Sequence, residues 1–403
     1  MRPTEYQGSS VPLAFLGRSI LSIRRNQVIS MEGTQEQELE DLEIFQNHIV
    51  DRFLDLSLQR SSSDASDHVD DLSIAWVRKL LDSFLCCESE FKALFFLDRD
   101  PSHAAKPPLD RFIPELLDRM VKALDVCNAV THGIDSVRHC QKLAEIAVSA
   151  LKQKPVGEGQ VRRARKALSA LVTSMTVDDR EGSSHNRSTE RVWSFGRKGS
   201  GSASAKDRSH GYFRSLSGSV SKTWSAAKQI QAMSANLMMP RGWESTGQAM
   251  SVYIMSTVLV VVMWTLVAAI PCQDRAGLLT HFAFLRQLGW ASPITGLQER
   301  IAEEWKKKEK KGSAGLLDEM QRLERCSQRL IELADSVQFP VEAEQMEEIR
   351  LQVAELAEVC QKMEEGLLPL QHQIREVFHR IAKSRAQVVD VLDQAAKLST
   401  AAS

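Results

Sequence analysis

Apolar side chains recur every three or four residues along the first part of the chain, which is the spacing of one buried face of an α-helix. One such stripe runs from Leu39 to Leu56, and a second runs from Leu72 to Phe95 after a polar stretch rich in Ser and Asp. Neither segment alternates apolar and polar residues as a half-buried strand does. The pattern predicts an N-terminal helical bundle over residues 36–177, preceded by a poorly ordered N-terminus at 1–35.

Three further helices are predicted within this bundle, at about 109–131, 133–152 and 159–176. Gly133 divides the first two, because glycine weakens the interior of a helix. The turn at 155–159 contains Pro and Gly and divides the second from the third.

The last third of the chain has the same helical spacing. Three apolar stripes, the first beginning at Leu316, are separated by Pro340 and Pro369. The short connectors favour antiparallel neighbours, so a second bundle is predicted over residues 291–403. Its helices carry 16 acidic against 10 basic residues between Leu316 and Leu398, which gives the bundle an acidic outer face suited to a basic partner surface.

Composition changes abruptly between the two bundles. Residues 180–248 contain 11 Lys or Arg against 4 Asp or Glu, with many Ser and Gly, so a disordered basic linker is predicted over 178–225. Four aromatic residues among these charges suit docking to a membrane interface or to a groove on a partner. These docking candidates are Trp193, Phe195, Phe213 and Trp224.

Several serines of the linker follow an arginine by three residues, a spacing that basophilic kinases favour. A phosphate at such a serine would offset part of the positive charge of the linker. The phosphorylation candidates are Ser194, Ser200 and Ser217.

A stretch of 22 residues without a formal charge, 249–270, lies within an apolar region at 226–290. As an α-helix it is about 33 Å long, enough to cross a hydrocarbon core of about 30 Å. We interpret it as the transmembrane anchor of a single-pass protein with mainly cytosolic domains. The alternative is a helix buried between the two bundles of a cytoplasmic scaffold. The apolar residues of the predicted anchor are Ala249, Val252, Ile254, Val258, Leu259, Val260, Val261, Val262, Trp264, Leu266, Val267 and Ile270.

The overall fold class predicted from these patterns is all-α, with two antiparallel helical bundles joined by the linker and one long apolar helix. Lys and Arg number 51 against 52 Asp and Glu, a balance that gives no reason to expect a nucleic-acid partner. Seven cysteines without a CxxC pair indicate buried thiols in a reducing compartment.

Candidate catalytic chemistry is scarce. The sequence lacks a phosphate-binding loop, a zinc-binding helix and a nucleophile elbow. The nearest approach to a metal cluster is Cys127, His132, His139 and Cys140, which do not have the spacing of ligands on one helical face. We therefore expect no catalytic residues, no cofactor and no metal.

Several segments together resemble the BYPASS-related plant proteins, and most closely their Roh branch. The resemblance runs over nearly the whole chain. The segments that carry it are Thr4-Glu-Tyr-Gln-Gly-Ser-Ser10, Gly17-Arg-Ser-Ile-Leu-Ser-Ile-Arg24, Ala129-Val-Thr-His-Gly-Ile134, Trp224-Ser-Ala-Ala-Lys-Gln-Ile-Gln-Ala-Met233, Pro240-Arg-Gly242 and the helix end Ala-Ala-Ile-Pro271-Cys-Gln-Asp-Arg275.

The resemblance implies a non-enzymatic helical plant protein with one predicted membrane segment and a role in growth and developmental control. It also implies a function in secretion, through binding of an Exo-seventy-type subunit of the exocyst vesicle-tethering complex. The family has no established catalytic residues. The alternative functions are a soluble scaffold with 249–270 in its core, or an enzyme that affects synthesis of a small developmental signal.

Overall fold

The computed structural model describes residues 31–58, 72–96, 101–177, 224–241, 247–272, 277–282, 289–309 and 315–401. Within these ranges the chain forms α-helices and two short 3₁₀ turns and no β-strand, which confirms the all-α prediction. The helices are α1 (Met31–Leu58), α2 (Ile74–Phe96), α3 (Leu109–Leu151), α4 (Glu158–Val177), α5 (Ala226–Ala235), α6 (Gln248–Ala269), α7 (Ser292–Glu309), α8 (Asp318–Ser336) and α9 (Ala343–Ala401).

Two predicted helix boundaries are wrong. α3 continues through Gly133, and α9 continues through Pro369 as one helix of 59 residues. A glycine costs a helix about 1 kcal/mol, and a proline removes one backbone N–H and strains the preceding turn. Here tertiary packing outweighs both costs. Gly133 is buried, and so are Leu367 and Leu370 on either side of Pro369.

The two groups of helices share one hydrophobic core. α9 runs antiparallel to α3, because the Arg138 guanidinium donates to Gln371 at 2.8 Å and the Gln141 amide donates to Glu364 at 2.7 Å. Farther along α9, Arg380 donates to Glu88 of α2 at 3.0 Å. The C-terminal helices are therefore packed directly against the N-terminal ones, and a single cluster of buried apolar residues extends from α1 to α9.

The apolar helix α6 lies in the middle of this cluster. It contacts α2 and α3 most extensively, and also α1, α5 and α7. Every residue from Ala249 to Ala269 is buried. Three of its hydroxyl groups bond within the helix: Ser251 donates to the Gln248 carbonyl at 2.8 Å, Thr257 to the Tyr253 carbonyl at 3.0 Å and Thr265 to the Val261 carbonyl at 2.9 Å.

Candidate functional site

The predicted anchor residues are surrounded by protein in this structure. α6 is the one helix in the described ranges that is long and apolar enough to cross a membrane, and it is buried throughout. Trp264, near its C-terminal end, donates its indole N–H to the Leu279 carbonyl at 2.6 Å and stacks edge-to-face on Phe282. This arrangement agrees with the alternative interpretation of residues 249–270, a helix buried within the protein. A bilayer-spanning α6 remains a prediction that requires the surrounding helices to separate from it.

The C-terminal end of α6 is held from two sides. The backbone N–H groups of Leu316 and Leu317 donate to the carbonyls of Ala268 and Ala269, each at 3.1 Å, and so satisfy two carbonyls that a helix end leaves free. On another side α3 approaches so closely that a Cβ on Gly133 would lie 2.2 Å from the carbonyl oxygen of Pro271.

This close approach brings together two of the segments that carry the family resemblance. One contains Gly133 on α3, and the other contains Ile270 and Pro271 after α6. This contact was not predicted from the sequence, in which Gly133 was interpreted as a helix boundary. A glycine inside an otherwise regular apolar period is the signal that could have indicated it.

A third resembling segment forms α5 and docks on α3 and α6. Ser225 caps its N-terminus by accepting the Lys228 N–H at 3.4 Å. The buried Arg119 of α3 binds its C-terminal end, donating to the carbonyls of Met233 at 3.0 Å and Asn236 at 2.8 Å. Trp224, one of the docking candidates, is half-buried against the core beside this helix.

The remaining docking and phosphorylation candidates lie outside the described residues. They are Trp193, Phe195, Phe213, Ser194, Ser200 and Ser217.

The structure does not bring the Cys and His candidates together. Cys127 is buried against α6, with its Sγ 3.9 Å from the Met263 sulfur, and burial raises the pKa of the thiol to about 12. His132 and His139 are exposed on the outer side of α3, whereas Cys140 is buried. Among the described residues no group of His, Cys, Asp and Glu has an arrangement that could hold a metal ion.

Two buried carboxylates of α2 connect it to its neighbours. Glu90 faces α1, where it accepts from both terminal nitrogens of Arg52 and lies 3.3 Å from His48. Glu88 faces α9, where it accepts from Arg380 and from Ser384. Neither residue was predicted to have a role, although both lie between apolar positions of the second predicted stripe.

The outer face of α9 carries exposed acidic residues, with the exposed Lys362 among them and a leucine toward each end. Glu355, Glu358 and Glu365 are exposed at helical spacing. Leu351 and Leu368 flank them with 62% and 55% of their surface exposed. A hydrogen bond from Lys362 lowers the pKa of the Glu358 carboxyl, which keeps it ionised. We call these five residues, Leu351, Glu355, Glu358, Glu365 and Leu368, the α9 stripe.

Comparison with known proteins decides the family. A family described as Protein ROH1-like matches residues 1–392. The chain belongs to the ROH1-like family. It is 51% identical to Protein ROH1A of Arabidopsis thaliana over 421 aligned positions that cover 99% of each protein. It is 43% identical to Protein ROH1D of the same plant, over 97% of this chain and 98% of the relative. No solved structure matches this ROH1-like protein.

The resemblance inferred from the sequence is thereby confirmed, since the family model and both relatives are consistent with a Roh-type member of the BYPASS-related plant proteins. In this ROH1-like protein the part of α3 around Gly133 packs against Ile270 and Pro271 at the end of α6, and α5 packs against both α3 and α6. The segments that carry the resemblance therefore lie next to the apolar helix.

Proposed function

We propose that this ROH1-like protein is a non-enzymatic interaction protein that binds an Exo-seventy-type exocyst subunit through the α9 stripe and acts in secretion or growth control in plants. Family membership supports the choice of partner class, because the Roh branch is linked to exocyst binding. The all-helical fold and the family name support a non-catalytic role.

The observation that carries the choice of surface is the composition of the α9 stripe. Two leucines with more than half of their surface exposed lie on the same helix face as three exposed glutamates. Protein-binding surfaces combine apolar side chains with polar ones, and the α9 stripe offers both. The negative charge suits a basic partner and would accelerate association.

Substitution of the stripe tests this proposal. We expect Leu351→Ser with Leu368→Ser to weaken binding of a purified Exo-seventy-type subunit about tenfold, because a few side chains that become buried carry most of the binding energy of an interface. Adding Glu365→Lys should slow association further and reduce its dependence on salt. Biolayer interferometry at two salt concentrations measures both effects.

The matched control is Leu398→Ser, since Leu398 is 50% exposed at the far end of the same helix. Its affinity should equal that of the wild type, and circular dichroism should show all variants folded. Equal affinity of the stripe variants would place the interface elsewhere. Deleting residues 297–403 is a poor test, because it removes α8, α9 and most of α7 from the shared core.

We further infer that α6 acts as the core of the scaffold and not as a bilayer anchor in the state that binds the partner. The support is its burial on every side and the capping of its C-terminal carbonyls by Leu316 and Leu317. A membrane span has no need of either feature. Membrane association of the protein would then depend on its partner or on its surface.

Alkaline carbonate extraction of plant membranes tests the position of α6. We expect the full-length chain to move to the soluble fraction, because a helix enclosed by protein has no contact with lipid. A known single-pass protein in the same membranes is the control that must stay in the pellet. Retention of the chain in the pellet would show that α6 inserts and would overturn this part of the proposal.

A further inference from the structure

The segment Gly315–Glu319 joins the ends of three helices. Its first N–H groups, those of Leu316 and Leu317, bond to the C-terminal carbonyls of α6. The Asp318 N–H donates to the Leu72 carbonyl at 3.2 Å, immediately before α2. Leu316 and Leu317 are buried in the core, at 3% and 0% exposure. We call this segment the latch, since the end of α6, the start of α2 and the start of α8 meet on it.

The last residue of the latch places a carboxyl group in the protein interior. Glu319 is 5% exposed, and both of its oxygens lie 3.1 Å from the Ile74 backbone nitrogen at the start of α2. No cation in the described part of the chain forms an ion pair with it. A buried carboxylate that lacks a cation is poorly solvated, so its protonation should be coupled to the packing around it.

The charged groups that act on Glu319 come from two helices. Asp318, on α8, raises the pKa of the carboxyl, and Lys362, on α9, lowers it while bonded to Glu358 at 2.9 Å. The backbone N–H of Glu319 itself and that of Ile74, at the start of α2, both favour the charged form. Burial is larger than all of these effects and raises the pKa of the Glu319 carboxyl to about 7.

We propose that Glu319 makes the latch proton-sensitive: the neutral carboxyl keeps the ends of α6, α2 and α8 together, and the ionised carboxylate releases them. Release would free the Ala268 and Ala269 carbonyls, which accept from Leu316 and Leu317 in the closed latch, and so loosen the C-terminal end of α6. The device would act near neutral pH, and the exposure of α6 would change with a small change in pH.

The direction of the pH effect follows from the raised pKa. A carboxyl that titrates near 7 in the closed latch and near 4.5 when exposed to water binds protons more strongly in the closed state. Protonation therefore stabilises the closed latch. This contribution is complete below pH 4.5, declines as the pH rises, and is lost above about 7.

Hydrogen exchange of the latch amides tests the proposal on the full-length chain. After correction for the intrinsic exchange rate, we expect the opening constant for Leu316 and Leu317 to rise about twentyfold from pH 5.5 to 7.5. In Glu319→Gln, which keeps a neutral acceptor for the Ile74 N–H, this rise should be absent. Glu332→Gln, which changes an exposed carboxylate on the same helix, should behave as the wild type.

Two results would overturn the proposal: latch protection in the wild type that does not change with pH, or a rise with pH that persists in Glu319→Gln. Should Glu319→Gln fail to fold, carbon-13 NMR of glutamate carboxyls in the wild type decides the question. A Glu319 midpoint near 7 supports the latch, and a midpoint near 4.5 overturns it. Neither measurement depends on the partner or on membrane extraction.

Discussion

Replacing Arg52 by alanine is expected to lower the free energy of unfolding by about 3–5 kcal/mol, because it leaves a buried carboxylate without its cation. The side chain of Glu90 is 6% exposed and that of Arg52 is 16% exposed, so water replaces little of the lost interaction. His48, at 3.3 Å, is the one other titratable group of α1 in contact with Glu90 in the described structure. Urea unfolding followed by circular dichroism at pH 7 measures the change.

A double variant separates loss of the ion pair from loss of packing. Arg52→Met with Glu90→Met replaces both charges by apolar chains of similar length, and we expect it to recover stability to within about 1 kcal/mol of the wild type. Arg162→Ala is the surface control, since Arg162 and its partner Glu158 are 78% and 67% exposed. It should cost no more than about 1 kcal/mol. An equal loss in Arg52→Ala and Arg162→Ala would contradict the argument.

Helical periodicity predicted the buried faces well, because each face depends on local spacing alone. In the second predicted stripe, Trp76, Leu80, Phe84 and Phe91 are all buried in α2. The first apolar stripe of the C-terminal third is likewise buried, in α8, for example at Leu323. Both stripes are complementary to apolar faces on other helices, which is the condition for a shared core.

The sequence could not decide where α6 lies. A helix that is apolar on all sides satisfies the requirements of a lipid bilayer and of a protein interior equally well. The difference lies in its neighbours, because α2 and α3 present faces long enough to enclose it and α5 covers a further part. Such complementarity involves residues more than a hundred positions apart, for example Cys127 and Met263.

Interactions between distant polar groups were also beyond the sequence. Glu319 contacts the start of α2 across 245 residues, and Glu88 contacts Arg380 across 292. A single sequence contains no record of such pairs. It does contain Gly133, which permits the close approach of α3 to the end of α6, but it does not show which segment approaches this glycine.

The second large effect on stability is expected at Gly133, where α3 approaches the end of α6. Gly133→Ala is expected to destabilise the protein by about 3 kcal/mol, the upper end of the usual cost of an overpacked core. The added methyl group would lie 2.2 Å from the Pro271 carbonyl oxygen and 2.9 Å from the Ile270 Cγ2. Because the nearest atom is backbone, a change of rotamer cannot relieve the clash, and α3 or the end of α6 must move.

Gly159→Ala is the matched control, since a Cβ at this position in α4 meets no atom within 4 Å. Alanine there should stabilise the helix by up to about 1 kcal/mol. The contrast between the two variants in urea unfolding separates steric cost from helix propensity. If α6 sat in a bilayer away from α3, both alanines would be tolerated alike. Opposite signs would therefore support the buried position of the apolar helix, and equal signs would contradict it.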